Sequence, residues 1–180
     1  MITTALMKQL GWVYPDAWAA SFAAACPTYG IDTKDRIAAF LAQVGHESGG
    51  GKFTREIWGP TEAQAKYEGR RDLGNTEKGD GLRFRGRGAI QITGRANTTA
   101  ARDALKPDMA LDVFCAWLET AEGAGTSAAW WWNDRKLNEL ADAGRFDDIT
   151  RRVNGGFNGR DDRIARWTKA KAALDETPAK

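Results

Sequence analysis

The sequence is poor in the residues that build metal centres and nucleophile triads. Its 180 residues include one histidine, His46, and two cysteines, Cys26 and Cys115. A single histidine excludes a His-Glu-x-x-His zinc protease and any histidine-rich metal cage. A Ser-His-Asp triad would have to be built on His46. The two cysteines lie far apart, each in an apolar stretch, and read as buried free thiols rather than a disulfide. No metal and no cofactor is expected. Charge of one sign is also scarce. The 26 Lys plus Arg against 24 Asp plus Glu leave a net charge of +2, too little to announce a nucleic-acid binder. Long apolar runs are missing too. The Ala-rich run from Trp18 to Cys26 is too short to span a bilayer, so no stable membrane insertion is expected. Lys8 interrupts the N-terminus before any long apolar stretch, which does not read as a secretory signal peptide.

What the chain does have is carboxylate, tryptophan and helical periodicity. Apolar residues make up 42 % and eight residues are Trp, the composition of a folded chain. The length suits one domain, spanning residues 1–180, that buries about 70 % of its unfolded surface. From Thr33, the residues Ile37, Phe40, Leu41 and Val44 fall on one helix face, and Gly49, Gly50 and Gly51 stop that helix. Thr61 with Gln64 reads as a capping box ahead of a short helix ended by Gly69. Further helices are predicted over 96–105 and within 110–120, 122–132, 146–153 and 161–174. The last carries Ile164, Trp167 and Leu174 on one stripe, with Trp167 expected in the core and a frayed tail after Leu174. Residues 82–93 alternate weakly, as a short hairpin or an irregular loop. The fold class is mainly α.

The most informative stretch is Gln43-Val44-Gly45-His46-Glu47-Ser48-Gly49-Gly50. Glu47 falls in the last turn of its helix, beside the apolar stripe and near the negative end of the helix dipole. That is a setting in which a carboxyl can serve as a general acid. His46 reads as a packing or positioning residue. A glycosidase needs a second carboxylate across the scissile bond, and Glu56, Glu62, Glu68, Asp72 and Glu77 are the candidates. The glycine reversal at 49–51 could fold Glu56 back over Glu47, whereas Glu62 fits the first turn of its own helix. The segment Leu82 to Arg95 holds four Arg and no acid. It fails as a nucleotide loop because Gln91 occupies the third glycine position and no Gly-Lys-Ser/Thr follows. It reads either as a structural turn with solvated Arg, or as a buried loop with Gln91 and Thr93 aimed into a cleft and Arg residues suited to an anionic polymer. Trp130, Trp131 and Trp132 are consecutive and cannot share one helix face. One or two belong to the core, and an exposed one could stack on a sugar ring.

Three blocks in order carry a resemblance: His46-Glu47-Ser48-Gly49-Gly50, Gly86-Arg87-Gly88-Ala89-Ile90-Gln91-Ile92-Thr93, and Val153-Asn154-Gly155-Gly156. Together they resemble glycoside hydrolase family 19, which contains plant-type chitinases and phage endolysins. The block Ile57-Trp58-Gly59-Pro60-Thr61, with Tyr67-Glu68-Gly69-Arg70 and Asp72-Leu73-Gly74-Asn75-Thr76, looks like the endolysin branch. The resemblance covers roughly residues 30–170. It implies a lysozyme-like α fold with the 82–93 segment beside the cleft, and an inverting glycosidase that cuts the glycan strands of peptidoglycan. A chitinase of the same chemistry, or a non-catalytic wall-binding module, are the alternatives. On this mapping Glu47 resembles the general acid, Glu56 the second catalytic carboxylate and Thr93 the residue that holds the water. Gln91, Asn97, Asn154 and Arg163 match cleft-lining positions, Arg163 close to the acid pair. Glu68 is the rival to Glu56. The chain departs from the family at Thr98, where Tyr often follows Asn97, and at Asn158, where plant enzymes carry a Glu. It also lacks the paired cysteines of the plant members.

The resemblance further implies a monomer that stays in the host bacterial cytoplasm and reaches the wall with the help of a separate membrane-permeabilising protein. No wall-binding domain is expected beside the catalytic core, and no nucleic-acid partner. The charge distribution agrees with an anionic glycan as partner. Residues 51–105 carry 11 Lys plus Arg against seven Asp plus Glu.

Overall fold

The computed structural model describes residues 1–176. The chain runs through α1 (Thr4–Leu10), α2 (Pro15–Thr28), α3 (Lys34–Glu47), α4 (Glu62–Ala65), a 3₁₀ turn at Arg71–Leu73, α5 (Asp80–Arg83) and α6 (Arg95–Leu105). It continues through α7 (Leu111–Trp117), α8 (Ala121–Asp134), α9 (Leu137–Asp142), α10 (Phe146–Asn154) and α11 (Arg160–Asp175). No strand forms among the described residues. The fold is mainly α, as the periodicity predicts, and matches the lysozyme-like α fold.

Helix α3 is the central element. Thr33 caps it by accepting from the Arg36 N–H, and every residue from Ile37 to Gly45 is buried. Its three alanines, Ala38, Ala39 and Ala42, and Gly45 let neighbours approach closely. A Cβ on Gly45 would sit 3.4 Å from both Arg166 and Trp12. Helix α11 packs along α3, burying Ala170, Ala173 and Leu174. A run of aromatic rings joins the other helices to it. Trp12 meets Trp18 at 5.4 Å, Trp18 meets Phe22 at 5.2 Å, Phe22 meets Phe40 at 5.2 Å and Phe40 meets Trp132 at 5.5 Å. These contacts tie α2, α3 and α8 into one core. A second, smaller apolar cluster holds Ile92, Ala101, Phe114 and Leu118. Half-buried Ile90 packs against both clusters, so the 84–93 segment bridges them.

Between α3 and α6 the backbone is irregular. Gly49, Gly50 and Gly51 all have positive φ, a conformation costly for other residues. A Cβ on Gly51 would also lie 2.2 Å from Trp18 Nε1, so Gly51 is required on steric grounds as well. The reversed chain then runs beside 86–88, with Glu56 N donating to Gly86 O and Gly88 N to Thr54 O, each at 2.9 Å. Arg87 and Ile92 exchange both backbone bonds around a tight turn. Of the two readings for 82–93, the irregular loop is the one formed, closed by a single antiparallel bridge.

Other expectations shift slightly. The capping box at Thr61 and Gln64 forms, but α4 ends at Ala65 and turns lead on to Gly69. Trp167 is half-buried rather than core, its ring stacked on Phe146 at 4.4 Å. Helix α11 runs one residue past Leu174, and the rest of the expected frayed tail, residues 177–180, lies outside the described residues. Both cysteines are buried and free, and burial pushes the Cys26 thiol up to about 12. No helix among the described residues is long and apolar enough to cross a membrane.

Candidate active site

Glu47 closes α3, where the helix hands over to the glycine reversal. Its Oε1 accepts from Arg163 Nη2 at 2.5 Å. Arg163 projects from α11 and its side chain is 1 % exposed, so its guanidinium needs acceptors on several sides. It finds Gln43 Oε1 at 2.6 Å and the Asn158 carbonyl at 3.3 Å, and Gln43 in turn donates to Thr150 Oγ1 at 2.8 Å. A buried polar chain from α10 through α3 to α11 thus fixes the Glu47 carboxylate. Glu47 Oε2 makes no hydrogen bond among the described residues. His46, next door, holds the start of α11. Its Nδ1 lies 2.7 Å from Asp162 Oδ2, which also accepts from Arg166 Nε at 2.7 Å. Burial pushes the Asp162 carboxyl up, but the Arg166 and His46 hydrogen bonds outweigh it and hold it below the usual carboxylate range. The His46 ring rests on Gly159, where a Cβ would fall 2.2 Å from Cε1.

Glu56 is held quite differently. Its Oε1 accepts from Gln64 Nε2 at 3.0 Å and from the Tyr67 hydroxyl at 3.4 Å, and its Oε2 accepts from the Gly86 N–H at 3.0 Å. All three donors are neutral. Burial, followed by the charge on Glu56, pushes the Tyr67 hydroxyl above its ordinary range, which keeps it a donor. The other candidate carboxylates are engaged elsewhere. Glu68 accepts from the N–H groups of Gly79 and Gly81 at 2.6 and 2.9 Å, at the start of α5. Asp72 pairs with Arg70, Glu77 pairs with Arg95, and Glu62 opens α4.

Gly86 is where the remaining pieces meet. A Cβ added to it would fall 2.6 Å from Gln91 Oε1 and 3.3 Å from Thr93 Oγ1. Gln91 has φ 56, a left-handed conformation uncommon outside glycine. It is held by its own amide donating to Gly88 O at 3.0 Å and by its carbonyl accepting from Thr93 Oγ1 at 2.9 Å. The structure therefore brings Glu56, Gln91 and Thr93 together around one glycine. Asn97 joins them, donating to Thr93 O at 2.8 Å. Gln91, Thr93 and Asn97 line a cavity of about 380 Å³ with the half-buried Trp130 and Trp131, while Trp132 faces the core. Glu56 lines a neighbouring cavity of about 560 Å³. Glu47 lines neither, and Asn154 is exposed at the end of α10, where its Oδ1 accepts from Asn158 N at 3.3 Å. No contact joins Asn154 to the Gly86 cluster among the described residues. Thr98 is buried and donates to Gly94 O at 2.8 Å, so no aromatic ring stands at that position.

Sequence reasoning missed Gln43, Thr150 and Gln64. Gln64 alone left a signal, as the capping-box residue, since the carbonyl that caps α4 belongs to the amide that donates to Glu56. Among the described residues no group of His, Cys, Asp and Glu could hold a metal ion.

No family model matches the chain. It is 35 % identical over 168 residues to a glycosyl hydrolase family 19 domain-containing protein of Haemophilus influenzae, covering 74 % of this chain and 78 % of that protein. Its fold is shared with chitinase C from Streptomyces griseus (TM-score 0.74, 23 % identity, 97 % of this chain and 76 % of that one). It is shared also with a class IV chitinase from Zea mays (TM-score 0.70, 20 % identity, 99 % and 95 %). The sequence relative, with a helical fold common to both chitinases, identifies the chain as a glycosidase, and it belongs to glycosyl hydrolase family 19.

Proposed function

We propose that this protein hydrolyses the glycan strands of peptidoglycan by an inverting acid/base reaction, in the manner of an endolysin. The observation that carries the mechanism is the unlike holding of the two carboxylates. Glu47 has one oxygen fixed on a buried cation and the other without a hydrogen bond among the described residues. The second oxygen can carry a proton to the glycosidic oxygen, while Arg163 stabilises the carboxylate that remains. Glu56 has both oxygens turned to neutral donors and serves as the base. As the bond from the anomeric carbon to the leaving oxygen breaks, water adds to that carbon from the opposite face and gives its proton to Glu56. Thr93 Oγ1, close to Gly86 and so to Glu56, orients that water. Gln91, Asn97 and the two half-buried tryptophans provide polar and stacking contacts for the sugars. Asn154 serves at the far rim.

Peptidoglycan is favoured as the substrate by the Ile57–Thr61 block and its companions, and by the surplus of Lys and Arg within residues 51–105. An enzyme made inside a bacterial cell would reach the wall with a separate membrane-permeabilising protein. The chitinase names of the structural neighbours favour a second reading, cleavage of N-acetylglucosamine polymers. Purified protein is tested on outer-membrane-permeabilised Gram-negative cells and on chitin. Loss of turbidity with no soluble oligomers from chitin is the expected result. Chitin oligomers without loss of turbidity would replace this reading with the second.

A further inference from the structure

The cavity beside Glu56 is lined by three cations, Lys52, Arg55 and Arg85, with Trp58 and Glu119. Their charges are not equally matched. Glu119 is already shared, since Oε1 accepts from the buried Arg87 at 2.8 Å and Oε2 from Arg55 at 3.2 Å. Glu56 accepts only from neutral groups. Lys52 lies over the Phe53 ring at 5.1 Å and forms no ion pair among the described residues. Arg85 donates from Nη1 to the Leu82 carbonyl at 3.0 Å and likewise forms no ion pair, and its Nε is buried with no hydrogen-bond partner. A buried donor on a charged group is costly to leave unmatched. Burial, then the charges of Arg87 and Arg55, press the Arg85 guanidinium below its ordinary range, so an anion placed there would be favoured. A guanidinium fork is the group best shaped to take a carboxylate through two parallel bonds.

We infer that this cavity is a carboxylate subsite, in which Arg85, supported by Lys52, takes a carboxylate carried on a substituent of the sugar next to the bond being cut. The inference rests on the peptidoglycan reading, because the strands of chitin carry no such group. A peptidoglycan strand offers the chemistry from two sources: an acidic residue of the stem peptide, or the lactyl carboxylate of a muramyl residue that has lost its peptide. Arg85 acts here as a specificity residue, recognising what the glycan bears rather than performing the hydrolysis.

The test uses the whole chain and defined probes. Binding is measured by calorimetry for muramyl dipeptide, for its carboxamide, and for N-acetylmuramic acid against N-acetylglucosamine. The first pair reports a stem-peptide carboxylate and the second a lactyl one. At least one acidic probe should bind about tenfold or more tightly than its neutral counterpart, the range of a charge-assisted hydrogen bond. Arg85→Gln should remove that preference, and Arg85→Lys should keep part of it, which separates lost charge from a damaged fold. Equal binding of acidic and neutral probes in both pairs would overturn the subsite, as would a preference that survives in Arg85→Gln. In parallel, new reducing ends are counted from sacculi with free and with amidated carboxyls, and a slower release from the amidated wall supports the subsite. A carboxylate preference without cleavage of either wall would support the subsite and overturn only the peptidoglycan reading.

Discussion

Glu47 and Arg163 show how much one residue depends on distant ones. The Glu47 carboxylate sits at a helix end, and its orientation comes from a guanidinium 116 residues later in the chain. Glu47→Gln keeps an acceptor for Arg163 while removing the proton. It should fold normally by circular dichroism and lose about 10²–10⁴-fold in turnover, and full activity would sink the acid assignment. Arg163→Met leaves the buried Gln43 without its cation and the half-buried Glu47 unpaired. Because Glu47 keeps 22 % exposure, the loss should fall below about 3–5 kcal/mol, the cost of breaking a fully buried pair, and a thermal melt should show it as a lowered midpoint. The sequence pointed to Glu47 by its place on the helix and to Arg163 by the family pattern, and the two side chains meet in the fold. Gln43 and Thr150 were not legible. Gln43 meets Thr150 across a separation of 107 and Arg163 across 120, and nothing local in either neighbourhood marks a glutamine or threonine as part of a buried network.

At the scale of elements, α3, α6, α8, α10 and α11 were legible from the recurrence of apolar residues at helical spacing, and Thr61 caps where its pattern places it. Of the 14-residue α2 only an apolar stretch was picked out, since Tyr14 gives it no side-chain cap. Helices α1, α5 and α9 were missed. Each is short, and α5 and α9 follow residues with positive φ, Gly79 and Lys136, that offer no side-chain cap. Between α3 and α6 the glycine reversal and the Thr61–Gln64 capping box were legible, but the path of the chain was not, since it follows from Glu56, Glu68, Asp80 and Arg95 binding backbone or each other over long separations. Those bonds separate the two rival bases. Glu68→Gln should loosen the start of α5 yet retain most activity, whereas Glu56→Gln should abolish turnover; the reverse pattern would reassign the base. Asp80 gives a pH prediction. It is buried, and the Arg95 hydrogen bonds hold its carboxyl below the usual range. Its folded value lies under an unfolded value of about 3.9, so its stabilisation is complete above that pH and fades as the pH falls through the folded value. The difference in melting temperature between wild type and Asp80→Asn should be steady from pH 7 to 5 and shrink below about pH 4. A difference that grows on acidification would contradict this.

For the whole molecule, the small net charge conceals an uneven distribution, with the basic surplus on the segment that carries Glu56, Gln91 and Thr93. Under the proposed function, attraction to an anionic wall would be screened over about 8 Å at physiological salt. Raising salt from 0.05 to 0.5 M, roughly a threefold fall in Debye length, should weaken binding to sacculi more than turnover of a neutral chitin oligomer. The overall architecture was legible as mainly α, and its lysozyme-like form through the family pattern. The way Glu56, Gln91 and Thr93 converge on Gly86 was not, because it depends on a backbone approach of less than a side chain's width. The most direct test is mass spectrometry of the fragments released from purified peptidoglycan. Hydrolysis through Glu47 and Glu56 predicts muropeptides with a new reducing sugar and one added water per cut. Fragments ending in an anhydro sugar, peptide fragments with the glycan intact, or no fragments at all would contradict it.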